Sequence, residues 1–271
     1  MPTENSVERP LILVTNDDGI EAPGIKALTR AMEPLGDVWV VAPKDEQSAV
    51  SNAISLRHPL RVRTRGSQRL AVSGTPTDCV YVGLNHVLER RPDICVSGIN
   101  HGANLGDDVM YSGTVAAAIE ATMCDVPALA FSLAGYGSRD FDAVVDHVTR
   151  LTGIFLGSGL PRGVFMNINF PLEVGEESEV RLTKLGRRNY GRVVVEKKDP
   201  RHQSYFWLGG SELGFDDIPG SDCNAVSDSF ISVTPVHLDL THYKFMRELE
   251  KWPAFSPEDS VAKIQSEVDE S

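Results

Sequence analysis

No stretch of this chain approaches the roughly 18 consecutive apolar residues that a membrane-crossing helix needs, and the opening MPTENSVERP lacks the apolar centre of a secretory leader. Neither membrane spanning nor secretion is expected. Cysteine is scarce: Cys79, Cys95, Cys124 and Cys223 show no CxxC spacing, and three lie among apolar neighbours. Buried, reduced thiols are expected in place of zinc or a disulfide framework, and with them a cytoplasmic location. Positive charge is in deficit, with 26 Lys+Arg against 38 Asp+Glu and a net charge of -12. That balance argues against a broad surface tracking the phosphates of a nucleic-acid duplex. Neither GxGxxG nor a GKS/GKT loop is present, so the dinucleotide fingerprint and the Walker loop are both missing. Aromatics are 7% of residues, and none is tied by spacing to the site described below, so no base-recognition pocket can be read.

What is present is a repeated alternation of strand-like and helix-like stretches. Leu11–Thr15 is a short apolar run ending in Asn-Asp-Asp-Gly, the pattern of a buried strand running into a turn. Pro23 and Gly24 lead into a helical stripe of Ile25, Leu28, Ala31, Met32 and Leu35, closed by Gly36. Asp37–Ala42 is a second buried strand, giving a βαβ unit with parallel strands. The loop PKDEQSAVSN follows, carrying Ser48. A hairpin-like excursion over 54–72 comes next, and Gly74-Thr75-Pro76 opens a helix with Thr75 as its cap. Strands over 92–97, 126–131 and 163–168 alternate with helices from Val115 and over Phe141–Leu156. The fold class is therefore α/β: a Rossmann-like, mostly parallel sheet with helices on both faces. Residues 1–10 form an N-terminal extension, 11–252 a single domain and 253–271 an acidic tail. A β-hairpin over about 187–210 protrudes from the domain, and a C-terminal segment over about 229–252 ends in a helix within 238–252. Val193, Val195, Tyr205, Phe206 and Trp207 on the hairpin need cover, from the parent domain or from an identical subunit.

In such sheets ligands lie outside the carboxyl ends of the strands. Asp17, Asp18, Ser48 and Asn100 each follow the end of an expected strand, so one crevice can gather all four. Two carboxylates, a hydroxyl and an amide carbonyl are hard oxygen ligands, suited to one magnesium or manganese ion per subunit. Ser112, Gly113 and Thr114 start an Ala-rich helix, whose free N–H groups and positive dipole end suit a phosphate. Each residue also has an ordinary reading: Asp-Asp-Gly as a solvated turn, Ser48 and Thr75 as turn or cap residues, and His101 as a polar loop contact instead of an acid or base. Asp107 and Asp108 either add carboxylates to the metal or brace the loop, whose glycines at 98, 102, 106 and 113 imply sharp turns or close approach to a ligand. Taken together, a metal, a phosphate cradle and a water activated by the metal make hydrolysis of a phosphate monoester the natural reaction. The DxD design of an aspartyl-nucleophile phosphatase is not met, since Asn16 lies two before Asp18 and Gly19 two after Asp17.

The stretches VTNDDGIEAPGI, VAPKDEQSAVSNAISL, SGTPTDCVYVGL, SGINHGANLGDDVMYSGTVAAAIEA and SVTPVHLDLT, in that order between about Leu11 and Thr241, resemble the SurE family of survival-protein nucleotidases. The resemblance implies a divalent-metal-dependent phosphatase for nucleoside 5′- and 3′-monophosphates, in some members also trimming short polyphosphate. By motif position Asp17 and Asp18 match the family's paired metal-binding aspartates and on that ground are the expected catalytic residues, Ser48 matches its serine ligand and Asn100 its asparagine ligand. Asn16 joins Ser112, Gly113 and Thr114 as an implied phosphate contact. The family's fold implies a protruding hairpin, a C-terminal segment exchanged between subunits, and a homodimer or homotetramer. A polyphosphatase with mononucleotides as side substrates and a non-catalytic nucleotide-binding regulator are the alternatives.

Overall fold

The computed structural model describes residues 9–135, 140–191, 193–209 and 213–255. Most of the expected N-terminal extension, and the acidic tail beyond Phe255, lie outside the described residues. The elements in chain order are β1 (Leu11–Thr15), α1 (Pro23–Met32), β2 (Asp37–Pro43), β3 (Val62–Gly66), β4 (Arg69–Val72), α2 (Pro76–Val82), β5 (Ile94–His101), α3 (Gly113–Met123) and β6 (Ala128–Leu133). They continue with α4 (Val145–Ser158), β7 (Val164–Phe170), β8 (Val180–Leu182), β9 (Arg188–Tyr190), β10 (Val194–Lys198), β11 (Ser204–Leu208), β12 (Leu213–Phe215), α5 (Asp222–Ser227), β13 (Ile231–His237) and α6 (Tyr243–Leu249). Two compact units result, Met1–Val236 and His237–Ser271.

The first unit is built on one sheet of order β3-β4-β2-β1-β5-β6-β7-β13-β8 among the described residues. The β2-β1, β1-β5, β5-β6 and β6-β7 pairs are parallel, whereas β3 returns antiparallel on β4. The α/β expectation therefore holds. Strand β1 is buried along its whole length because helices cover both faces. On one face Ile12 and Val14 meet Ile25 and Leu28 of α1 and Val148 of α4. On the other, Gly83 just after α2 lies against Leu13, and α3 packs on β5 and β6. Burying each Ile or Leu side chain contributes roughly 1.5–3 kcal/mol. Gly24 lets α1 sit close, since a Cβ there would be 2.0 Å from the carbonyl oxygen of Ile99.

The chain runs from β1 out through β2 to one edge, then returns to place β5 on the other side of β1. The switch point of the sheet thus lies between β1 and β5, where a crevice opens at the carboxyl ends. Thr75 caps α2 as expected, in a reciprocal box with Asp78. Strand β5 runs four residues beyond its expected end at Ser97: pairing with β6 breaks after Ser97 and resumes at Asn100. Gly98 makes this possible, with φ +127° and its α-carbon so close to β6 that a Cβ would meet the oxygen of Phe131 at 2.2 Å. Helix α4 begins later than expected, after a 3-10 turn over Asp142–Val144.

The excursion from β9 to β12 is the expected protruding hairpin. Strands β10 and β11 pair in antiparallel register, and both are exposed throughout. Their turn is held by Asp199, whose carboxylate accepts the N–H groups of Arg201 at 2.8 Å and Gln203 at 2.9 Å. In the second unit the helix expected within 238–252 is Tyr243–Leu249. Asp239 accepts the N–H of Thr241 at 2.9 Å and so holds the preceding residues in a turn. His242 then caps the helix through the N–H of Phe245.

Candidate active site

Asn16 and Asp17 leave β1 into the crevice while still buried, Asp17 at 3% exposure. The side-chain amide of Asn16 donates to the oxygen of Gly19 at 2.9 Å, closing the turn. Its Oδ1 is buried and has no hydrogen-bond partner among the described residues, which normally signals a ligand or ordered water. The Asp17 carboxyl is pushed up to about 7, first by burial and then by the charge of Asp18, against hydrogen bonds from Thr114. A buried carboxylate beside a second one is what a cation would offset.

Long-range bonds bring the other candidates to this pair. The N–H of Gln47 donates to the Asp17 carbonyl at 2.7 Å, so the loop carrying Ser48 lies against the turn after β1. The N–H of His101 donates to Oδ2 of Asp18 at 3.2 Å, fixing the end of β5 there. Asn100 gives its amide nitrogen to the oxygen of Gly102 at 2.8 Å, which leaves its carbonyl oxygen as the side chain's remaining acceptor. Ser48 is exposed and donates its hydroxyl to Glu46 at 2.8 Å. Glu46 is thus a carboxylate near the site that no motif spacing had pointed to; the charged run KDE before Ser48 was the signal available.

Helix α3 points its first turn at the same place. Ser112 is its cap, accepting the N–H of Val115 at 3.1 Å. Gly113 is required by contact: a Cβ there would sit 2.7 Å from the Cβ of Asp17. Thr114 is fully buried and donates its hydroxyl to Oδ1 of Asp17. The positive end of α3 therefore serves Asp17 as well as the crevice.

Asp107 and Asp108 are occupied elsewhere. Asp107 accepts the N–H of Arg188 at 3.3 Å, and Asp108 binds Arg188 Nε at 3.1 Å and the hydroxyl of Tyr190. They brace the start of the hairpin. The glycine-rich loop closely approaches the backbone of neighbouring segments: Gly98 meets Phe131, and Gly106 meets Gly186.

Among the described residues no group of three or more His, Cys, Asp or Glu could hold a metal. Asp17, Asp18, Ser48 and Asn100, the residues expected to bind a metal, instead carry mixed oxygen donors, a chemistry that fits a hard divalent cation.

A family model described as Survival protein SurE matches residues 12–192. The chain belongs to the SurE family. Proteins named 5′-nucleotidase SurE from Geotalea uraniireducens and Myxococcus xanthus are similar to it, at 49% identity over 243 residues and 50% over 243. Each alignment spans 89% of this chain, and it covers 98% and 92% of those proteins respectively. Among solved structures, the SurE protein from Aquifex aeolicus superposes with a TM-score of 0.81 at 38% identity, covering 89% of this chain and 98% of that one. The SurE match runs through β1, the Ser48 loop, β5 and α3, the four elements that meet in the crevice.

Proposed function

We propose that this chain is a divalent-metal-dependent 5′-nucleotidase, hydrolysing nucleoside 5′-monophosphates, and 3′-monophosphates with them, to nucleoside and inorganic phosphate. What supports the reading is that the backbone N–H groups of Gln47 and His101 tie the Ser48 loop and the Asn100 end of β5 to Asp17 and Asp18 at the β1/β5 switch point, beside the first turn of α3. The relatives named 5′-nucleotidase SurE supply the substrate class.

Asp17 and Asp18 would hold a magnesium or manganese ion with Ser48 and Asn100. When bound, the cation supplies positive charge for the phosphate oxygens and lowers the pKa of water in its shell. Thr114 fixes Asp17 from below. Asn16, Ser112 and Gly113 stand at the mouth of the helix dipole, where they orient the phosphate and favour its negative charge as the ester bond breaks. Burial of Asn16 and Asp17 lowers the effective dielectric at this end of the crevice, which strengthens those interactions.

Four free cysteines, three of them buried, support the cytoplasm as the compartment. No helix among the described residues is long and apolar enough to cross a membrane. Trp207 and Leu208 on the hairpin, 62% and 84% exposed, support a homodimer or homotetramer in which a second copy covers them.

The test is phosphate release from adenosine 5′- and 3′-monophosphates with added magnesium or manganese, then with excess chelator. Release that chelator abolishes and metal restores is the expected result. No release from folded protein with any metal overturns the reading in favour of a binding protein, and a higher kcat/KM on polyphosphate than on nucleotides makes it a polyphosphatase.

A further inference from the structure

Strands β9 and β12 form a short antiparallel ribbon beside the glycine-rich loop. Phe215 lies directly opposite Arg188 in its register, and directly opposed residues share a face, as does Tyr190 two positions along from Arg188. All three side chains line a cleft of about 390 Å³ whose other wall includes Gly102 and Ala134. That volume is within the range of small-molecule sites. Asp108 and Arg188 are the charged residues lining it, and they pair with one another at 3.1 Å. The guanidinium also lies 5.6 Å from the centre of the Tyr190 ring. The cleft thus offers flat π surfaces with its charges already matched, a poor seat for a second phosphate and a good one for an uncharged heterocycle.

Its position relative to the phosphate end follows from the chain itself. Gly102 lines the cleft and accepts a hydrogen bond from Asn100, two residues back. Two residues of chain span at most about 7 Å, a gap that a ribose bridges. We infer that this cleft is the nucleoside subsite, holding the base against Phe215, Tyr190 and the Arg188 plane while the phosphate lies beyond Asn100. The inference rests on the nucleotidase reading above and names the part of the chain that makes a nucleotide a better substrate than a simple phosphate ester.

Two measurements on the full chain test it, using Phe215→Ala and the aromatic control Phe215→Tyr. The first is the ratio of kcat/KM for adenosine 5′-monophosphate to that for glycerol 2-phosphate. Loss of one base–aromatic stack lowers the ratio about tenfold in Phe215→Ala, mainly through KM, and Phe215→Tyr restores it. The second is calorimetric binding of adenosine to chelator-treated protein, which weakens by a similar factor in Phe215→Ala. An unchanged ratio, or equal losses on both substrates, overturns the subsite. If wild type releases no phosphate from either ester, the nucleotidase reading fails by itself. Adenosine binding then still decides the cleft: dependence on Phe215 supports it, and indifference to Phe215 overturns it.

Discussion

Thr114 donates its hydroxyl hydrogen to Oδ1 of Asp17 across 97 positions of sequence, with both side chains buried. The bond ties the first turn of α3 to the end of β1 and sets which way the Asp17 carboxyl faces. It makes the helix part of the site even before any phosphate binds.

Replacing Thr114 with Val keeps the shape and removes the donor, leaving a buried acceptor short of a partner at a cost of about 1–3 kcal/mol. The expected outcome is a fall in kcat/KM of about tenfold or more together with a lower Tm, while Thr114→Ser keeps most of both. Steady-state kinetics and a thermal melt check this. A Val variant equal to wild type in both would show that the bond is incidental.

Gly24 is a structural demand with no chemistry attached. A methyl group there would lie 2.0 Å from the oxygen of Ile99, so α1 must move off β5 in Gly24→Ala. Overpacking of this kind costs about 1–3 kcal/mol, which for a chain of this size lowers Tm by about 2–5 °C. Differential scanning calorimetry would read the shift.

The parts of the fold that the sequence announced are those set by local pattern. Strand β1 could be bounded to the residue because its apolar run meets Asn-Asp-Asp-Gly, and the start of α2 could be placed because Thr75 and Pro76 carry the capping chemistry themselves, whereas its end at Val82 falls short of the apolar spacing that runs on to Leu88. What stayed hidden depends on partners far along the chain. The resumption of β5 at Asn100 is decided by Phe131, and the commitment of Thr114 by Asp17. The ribbon of β9 and β12 joins segments either side of the long hairpin, so no period within Arg188–Tyr190 could reveal it. Of the proposed site, residue types and strand ends indicated Asp17, Asp18, Ser48 and Asn100, whereas Glu46 and the proposed Arg188–Tyr190–Phe215 face gave no spacing signal.

The thiols should be inert in the native protein. Burial pushes Cys79 well above its usual range and Cys95 up to about 12, so neither holds a useful fraction of thiolate at pH 8. Cys124 is half-buried and its thiol is raised less. Iodoacetamide at pH 8 is expected to label Cys124 first and to reach Cys79 and Cys95 only in denaturant, as peptide mass spectrometry would show. Rapid native labelling of Cys95 would contradict the burial.

The exposed hairpin gives a prediction for assembly. Trp207→Glu places a charge on the apolar face of β11, which disfavours a second copy there while leaving the sheet of the first unit untouched. Light scattering after size exclusion should report a smaller species than wild type. An unchanged mass would mean that the subunits meet elsewhere or not at all.

The proposed cation site takes one oxygen donor from each of Asp17, Asp18, Ser48 and Asn100 at the β1/β5 switch point. The most direct measurement is the binding isotherm of Mn2+ on chelator-treated protein, for wild type and for Asp17→Asn. One site per chain is expected in wild type and at least a tenfold weaker or undetectable site in the variant, with the variant as stable as wild type or more so because a buried charge beside Asp18 is gone. Equal Mn2+ affinity in both proteins would contradict it.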